Sequence, residues 1–391
     1  MKAETIISRN IAIDEENLSV CDVIYPLEKI NNLYLFSVGK AGLGMAKAAE
    51  KVLGSHIKGG VAISHQEGQC SFIDHHTSTH PLLSSKSLLG AEKLIETMGS
   101  MKEDDFFIFC LSGGASAMIE KPIDGLDLDN FQKISASLLG SGIDITTLNI
   151  VRKAISQIKG GKLADKTKAN GVVLVLSDVI GDDLNTIGSA PMMNGKIPHH
   201  IIGNNEIALK QAKEYISKDI DKVKILTTTL NRSSKKASKY IAKQIEKYDN
   251  KYERFCLLIG GETTTKVKGN GQGGRNQELA LRLLLQKCVS EDISILSAGS
   301  DGIDGNSPAT GAFLDYKIYK KMKKAKLDPK VYLKKSDSYH IFEQLGYDFT
   351  IGATSTKVMD FIIELKQKKK LHTRTFFSER INHNTSLLYK S

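Results

Sequence analysis

The chain has 391 residues, of which 41% are hydrophobic and 25% charged, and its formal net charge is +10. This composition is typical of globular proteins with buried cores, and the length allows two or three domains. No apolar run approaches the roughly 20 residues of a membrane-spanning helix. The N-terminal segment is interrupted by charges and has no apolar signal region. The sequence therefore predicts a cytoplasmic protein with no membrane partner.

The positive charge suits an anionic ligand or nucleic acid. Basic clusters at 320–326 and 366–370 contain no interleaved aromatic residues, and no zinc-finger or RNA-binding motif occurs. Nucleic-acid binding is therefore not favoured. The five cysteines are widely spaced and form no CxxC pair, which indicates reduced thiols rather than disulfides.

Short apolar runs alternate with helical stretches along the chain, the pattern of βα units around a mostly parallel sheet. The strands that this pattern predicts are 33–38, 59–64, 106–111, 171–178 and 224–229. A helix is predicted over 147–166. From Arg254 the sequence pattern changes. It predicts a strand, a Gly-Gly turn and a Thr-rich strand, which together suggest a hairpin. A domain boundary is expected between 230 and 253.

Two glycine-rich segments directly follow predicted strands, where open parallel sheets bind ligands. "VGKAGLG" places Gly39 and Lys40 in a turn before a helix, a suitable position for an anion. It matches neither the Walker A loop nor the GxGxxG dinucleotide motif, and tight strand–helix packing is an equal alternative. The second segment, "LSGGASAM", offers small residues that let a ligand approach the backbone: Ser112, Gly113, Gly114 and Ser116.

Two further polar clusters contain candidate metal-binding and charge-neutralising residues. Asp178 ends a predicted strand and could hold Mg²⁺ or accept a proton from a hydroxyl. Asp182 and Asp183 follow in a loop, where capping of the loop is an equal interpretation. The second cluster lies in glycine-rich surroundings near a predicted helix start, where an arginine suits carboxylate or phosphate oxygens: Glu262, Arg275, Asn276 and Asp301.

Taken in order, these motifs resemble the glycerate 2-kinases whose C-terminal part is the MOFRL domain. The likeness runs from about residue 33 to 365 and includes "VRKAISQIKGGKLA", "LSDVIGDDLNTIGSAP", "GGRNQELAL" and "SAGSDGIDGNSPATGAF". One motif departs from the family, because residues 352–358 read "GATSTKV" where GPTGTNV is usual. This departure puts in doubt any ligand contact made by that loop.

The resemblance implies an α/β fold with a Rossmann-like, mostly parallel N-terminal domain over 1–240. It also implies a smaller α/β, MOFRL-like C-terminal domain over 241–370, with the active site in the cleft between the two and a tail of uncertain structure at 371–391. The implied reaction phosphorylates D-glycerate from ATP to 2-phosphoglycerate with a divalent metal. A homodimer is left open.

The resemblance implies that Lys40 and Arg275 act at the reacting phosphate. With the residue pattern, it makes Lys40, Arg275 and Asp178 the predicted catalytic residues, and Asp178 and Asp301 the predicted metal ligands. Arg275→Ala is expected to lower turnover by orders of magnitude with little change in melting temperature. The residues predicted to bind substrate or nucleotide are Gly39, Ser112, Gly113, Gly114, Ser116, Glu262 and Asn276.

Two other functions stay open at this point. An NAD(P)H-dependent hydroxypyruvate reductase would need a proper dinucleotide fingerprint, which the glycines of "VGKAGLG" do not match in spacing. A non-catalytic anion- or nucleic-acid-binding protein would show salt-dependent retention on DNA.

Overall fold

The structure is a computed structural model that describes residues 2–141, 145–354 and 356–367. The chain forms two compact units. The first contains the chain up to Ala208 together with Thr354–Val358, and the second contains Leu209–Ala353 and the chain from Met359 on. The tail predicted at 371–391 lies outside the described residues.

The first unit alternates strands with helices. Its strands are β1 (Ile11–Ile13), β2 (Asn17–Val20), β3 (Val23–Pro26), β4 (Leu33–Val38), β5 (Ile57–Ser64), β6 (Asp74–Thr77), β7 (Phe106–Ser112), β8 (Asn170–Leu176) and β9 (His199–Gly203). Its helices are α1 (Ala3–Asn10), α2 (Gly42–Leu53), α3 (Ser85–Ser100), α4 (Ala115–Met118), α5 (Leu128–Gly140) and α6 (Ile145–Ala154), and α7 (Asn205–Ile216) begins in this unit.

Six of these strands form one parallel sheet in the order β6-β5-β4-β7-β8-β9, and β1, β2 and β3 form a small antiparallel sheet. The central strand β7, "FFIFCLS", is buried along its whole length, as expected for a parallel strand covered on both faces. After β4 the chain continues to β5 and β6 on one side and then returns to β7 on the other. The carboxyl ends of β4 and β7 therefore form a topological switch point, where open α/β sheets bind ligands.

The second unit contains a sheet of different character. Its strands are β10 (Val223–Ser233), β11 (Phe255–Thr264), β12 (Ile293–Gly299), β13 (Gly311–Leu314), β14 (Asp348–Phe349) and β15 (Asp360–Lys366). Its helices are α8 (Ser234–Asp249), α9 (Arg275–Leu285), α10 (Lys317–Lys324), α11 (Pro329–Lys335) and α12 (Ser338–Leu345).

This second sheet has the order β10-β11-β15-β12-β13-β14. Only β10 and β11 pair in parallel among its described strands, and the other neighbours are antiparallel. The last strand, β15, lies between β11 and β12 at the centre of the sheet. A large apolar cluster from α8, α9, α12 and the sheet strands forms the core of this unit. The second unit thus needs its C-terminal strand to complete the sheet.

Two local predictions differ from the structure. The strand predicted at 224–229 does exist but pairs with β11 in the second sheet. Consequently β10 and α8 belong to the second compact unit, which begins at Leu209. The domain bounds expected at 240/241 stay a prediction. The helix predicted over 147–166 ends at Ala154, and the following glycines Gly160 and Gly161 have left-handed backbones that interrupt helices.

The hairpin predicted after Arg254 was wrong, because β11 runs without a turn through Gly260 and Gly261. Gly261 has φ +126°, and a Cβ atom there would lie 2.3 Å from the backbone nitrogen of Leu230 on β10. The glycine therefore permits the close approach of two strands, a common reason for glycine within a sheet.

Candidate active site

In the first unit the loops after β4 and β7 are bonded to each other. The backbone N–H of Lys40 donates to the carbonyl of Gly113 at 2.9 Å, and that of Ala41 donates to Ser112 Oγ at 3.1 Å. Gly39 has φ +124°, and a Cβ there would lie 2.3 Å from Ser112 Oγ. The packing of the two loops therefore requires glycine at position 39.

Asp178, two residues beyond the end of β8, reaches the same place. A Cβ atom on Gly113 would lie 2.0 Å from Asp178 Oδ2, so the carboxylate lies directly against the Gly113 backbone. A Cβ on Gly114 would lie 3.0 Å from Lys40 Cγ. The structure thus brings together the predicted residues of the first three motifs at the switch point of the parallel sheet.

Ser116, the remaining predicted residue of this loop, is bonded within the unit. Its hydroxyl accepts a hydrogen bond from Ser189 Oγ at 2.9 Å, and its carbonyl accepts one from Lys159 Nζ at 3.0 Å. Lys159 forms a short ion pair with Glu120, and the two side chains are 2% and 0% exposed. Burial lowers the pKa of Lys159 although the charge of Glu120 opposes this. Sequence reasoning did not find this pair, because it placed Lys159 in a continuous helix.

His80 also lies at this site, although it was not among the residues predicted from the sequence. Its Cδ2 atom would be 3.0 Å from a Cβ on Gly114, on the same side as Lys40. The His65 and His80 ring centroids are 6.2 Å apart. Burial, followed by the charges of Lys40, His65 and Lys357, lowers the pKa of His80 to about 4. The imidazole of His80 is therefore neutral at physiological pH.

In the second unit Arg275, the first residue of α9, is held by two carboxylates. Its Nε and Nη2 donate to the two oxygens of Asp360 at 2.5 and 2.9 Å, and Nη2 also donates to Glu262 at 2.6 Å. Burial alone would lower the pKa of Arg275, but the hydrogen bonds and charge of Asp360 raise it. Asp360, which sequence reasoning missed, lies two residues after the altered 352–358 motif.

The backbone N–H groups at the N-terminus of α9 already bind a carboxylate of the protein itself, that of Asp304. Asp304 Oδ1 accepts from the backbone of Asn276 at 3.0 Å, and Oδ2 accepts from that of Gln277 at 2.8 Å. Burial raises the pKa of Asp304 to about 6, against the lowering effect of these backbone bonds. The Asn276 side chain is buried and bonds Asp304 and Ser297. A ligand contact for Asn276 thus stays a prediction that its surroundings do not favour.

Asp301 lies in the loop after β12, where its Oδ1 accepts from the backbone of Ile303 at 3.3 Å. A Cβ on Gly299 would lie 3.0 Å from Asp301 Oδ1 and 3.6 Å from Asp360 Oδ1, so these two carboxylates border the same small space. Asp182 accepts from Asn204 at 2.7 Å. Within 2–141, 145–354 and 356–367, no three His, Cys, Asp or Glu side chains form a group that could hold a metal ion.

The two parts of the chain match two family models. The MOFRL family model matches residues 255–360, and a model described as a domain of unknown function (DUF4147) matches residues 1–202. D-glycerate 2-kinase from Thermotoga maritima is 34% identical, in an alignment covering 87% of this chain and 92% of that protein. This chain belongs to the glycerate kinase family. Glycerate 2-kinase from Pyrococcus horikoshii is 30% identical, with coverage of 87% and 89%.

Solved structures in the glycerate kinase family show the same fold. The crystal structure of Thermotoga maritima glycerate kinase superimposes with a TM-score of 0.84 at 32% identity, covering 94% of this chain and 96% of that one. The resemblance and the α/β fold class predicted from the sequence are thereby confirmed. Among the described helices of this family member, none has the length and apolar character needed to cross a bilayer.

Proposed function

We propose that the protein transfers the γ-phosphoryl group of ATP to D-glycerate and releases 2-phosphoglycerate and ADP. Membership of the glycerate kinase family supports the reaction class. The observation that carries the assignment to a site is the grouping of Lys40, Asp178 and the Ser112–Gly114 turn at the switch point of the parallel sheet. Both substrates are small anions, which suits the net charge of +10.

Phosphoryl transfer needs in-line positioning and positive charge around the moving group more than covalent chemistry from the protein. Lys40 supplies a cation beside the Gly114 backbone, where it would offset charge on the phosphoryl oxygens. The Ser112–Gly114 turn has no bulky side chain, so a ligand can approach its backbone closely. Arg275 stays a proposed catalytic residue, and Glu262 accepts a hydrogen bond from its Nη2 and so restrains the guanidinium.

We infer that Mg²⁺ accompanies the nucleotide. Mg²⁺ takes carboxylate oxygens together with phosphate oxygens and water, and it needs few protein ligands. Asp178 fits this requirement, because its carboxylate lies at the carboxyl edge of the sheet against the Gly113 backbone. Asp301 is the second candidate ligand. The ion would neutralise charge on the phosphate oxygens. The alternative role for Asp178 is to accept the proton of the glycerate hydroxyl.

The assay uses the purified full chain with ATP, MgCl₂ and D-glycerate. We expect ADP release together with a new ³¹P resonance split into a doublet, since phosphorus on the C2 oxygen couples to one proton. A triplet would place the phosphate on the C3 oxygen and contradict the proposed product. Absence of ADP above background with D-glycerate and related hydroxy acids would overturn the kinase assignment. NADH oxidation by hydroxypyruvate would favour the reductase alternative.

A further inference from the structure

Two side chains cover Gly114 from the same direction. A Cβ atom placed on Gly114 would lie 3.0 Å from His80 Cδ2 and 3.1 Å from Lys40 Cε. The His80 ring therefore borders the space into which the Lys40 side chain extends. His80 is only partly exposed, and the catalytic roles proposed above do not use it.

Two other basic groups, His65 and Lys357, lie near enough to His80 for their charges to act on its imidazole. His65 lies beside His80, with ring centroids 6.2 Å apart. Lys357 comes from the short segment Thr354–Val358, which packs within the first unit although the flanking residues belong to the second. The Val358 carbonyl anchors this segment by accepting from Asn205 Nδ2 at 2.9 Å. Across Gly113 the carboxylate of Asp178 is the acidic neighbour.

We propose that His80 and Lys357, together with Lys40, form a subsite that binds one oxyanion group of a substrate above the Gly114 backbone. The neutral imidazole donates one N–H hydrogen bond, and the two lysines supply the positive charge. The ligand chemistry is a carboxylate or phosphate oxygen, from glycerate or from the nucleotide. This inference rests on the proposed function for the identity of the substrates but not for the existence of the subsite.

The electrostatics of the free protein support this subsite. Burial and the charges of Lys40, His65 and Lys357 keep the pKa of His80 at about 4. An anion bound among these groups would offset their charges and stabilise the protonated imidazole. Binding of the correct anion must therefore raise the pKa of His80, and this shift is a direct signature of occupancy that needs no catalysis.

The test is a histidine NMR titration of the full chain, with the His80 signal assigned by its loss in His80→Gln. Separate samples contain inorganic phosphate, D-glycerate or a non-hydrolysable ATP analogue, each at saturation as judged by its own binding curve. We expect the pKa of His80 to rise by at least about one unit, or 1.4 kcal/mol. His199, the first residue of β9 at the amino edge of the sheet, is the matched control and should not shift.

The three ligand samples also identify which substrate supplies the oxyanion. A shift with D-glycerate alone assigns the subsite to the substrate carboxylate, and a shift with phosphate or the analogue assigns it to the nucleotide. A His80 pKa unchanged under all three would overturn the subsite even if glycerate kinase activity is present. A shift with phosphate in a protein that does not phosphorylate glycerate would leave the subsite standing and remove the proposed function.

Two variants make the role of each residue testable. Lys357→Met should raise the pKa of His80 in the ligand-free protein and weaken anion binding about fivefold or more, whereas Lys58→Met at the exposed start of β5 should do neither. His80→Leu should weaken binding of the same anion by a similar factor, and His80→Gln, which keeps an N–H donor, by less. Wild-type affinity in both His80→Leu and Lys357→Met would overturn the proposal.

Discussion

Arg275 is the residue whose surroundings differ most from those expected of a free phosphate ligand. It shares its donors between Asp360, which is 4% exposed, and Glu262. One cation thus faces two carboxylates. The Arg275 side chain is nevertheless 29% exposed. Arg275 can therefore structure the second unit and still offer donors to a ligand.

This environment changes the expectation for Arg275→Ala. Removal of the guanidinium would leave Asp360 buried without its cation, and breaking a buried pair costs about 3–5 kcal/mol. Because Arg275 is partly exposed, we expect a loss of about 2–3 kcal/mol in the free energy of unfolding. Urea unfolding of this variant measures the loss. Arg275→Lys keeps the charge without the planar fork. Its free energy of unfolding should therefore lie between those of the wild type and Arg275→Ala. An unchanged unfolding midpoint would show that Asp360 is stabilised by other groups.

Lys40 is expected to affect catalysis rather than stability, because it is only half-buried beside the Gly114 backbone. Lys40→Met should lower kcat by about 10²–10³, the usual cost of losing one group that stabilises transition-state charge. Steady-state kinetics measure this loss. Lys47→Met, at an exposed position of the following helix α2, is the control and should keep wild-type kcat. Equal activity of both variants would remove Lys40 from the catalytic residues.

The two roles of Asp178 predict different kinetics for Asp178→Asn. If the carboxylate holds Mg²⁺, the activity of the variant should recover in part as MgCl₂ is raised, since one ligand of several is weakened. If it accepts the hydroxyl proton, kcat should stay low at saturating MgCl₂. A magnesium titration of kcat measures this difference. Full activity at low MgCl₂ would contradict both roles.

At the level of elements, a buried ion pair supports α4 and the residues that follow it. Lys159 Nζ bonds the Ser116 carbonyl of α4 and Glu120, and Ser156 Oγ donates to the other Glu120 oxygen. These residues belong to segments far apart in the chain. The irregular segment after α6 is therefore fastened to the α4 region by charge as well as by packing.

Lys159→Met should lower the free energy of unfolding by about 3–5 kcal/mol, because it leaves the carboxylate of Glu120 buried without a cation. The double variant Lys159→Met with Glu120→Gln should be more stable than Lys159→Met alone, since the amide oxygen still accepts from Ser156. A double-mutant cycle by urea denaturation measures the coupling. Strictly additive losses would show that the two charges do not stabilise each other.

At the level of the whole molecule, the central strand of the second sheet contains a buried acid. Glu364 on β15 is 0% exposed, and neither of its oxygens has a hydrogen-bond partner in the described chain. Burial, followed by the charge of Asp249, raises the pKa of Glu364 well above its ordinary value of 4.5. Glu364 is therefore neutral in the folded protein over a wide pH range.

A raised carboxyl pKa makes stability depend on pH in one direction. The folded state binds the Glu364 proton more tightly than the unfolded state, so this contribution is complete below pH 4.5 and is lost as the pH rises through the folded pKa. Between pH 6 and 9 we expect the melting temperature to fall more in the wild type than in Glu364→Gln, which cannot ionise. Calorimetry at matched ionic strength measures both curves. Parallel curves would mean that Glu364 does not ionise in this range.

Much of the first unit could be predicted from the sequence, because its signals are local. Continuous apolar runs such as "FFIFCL" are typical of buried parallel strands. Glycines directly after such runs marked the loops of Lys40 and Ser112–Gly114. Parallel strands bring their carboxyl ends to one edge, so the grouping of these loops with Asp178 follows once the strand order of the sheet is known.

The partners of the charged residues, in contrast, were decided by tertiary structure. Asp360 meets Arg275 across 85 positions of sequence because β15 inserts between β11 and β12. Lys357 reaches the first unit because a few residues return to it between strands of the second. No local pattern encodes such contacts, since hydrophobic periodicity determines which face of a strand is buried but not which strand lies beside it. The sequence by itself thus determined the elements and the reactive loops, and the order of strands in each sheet decided which charges those loops meet.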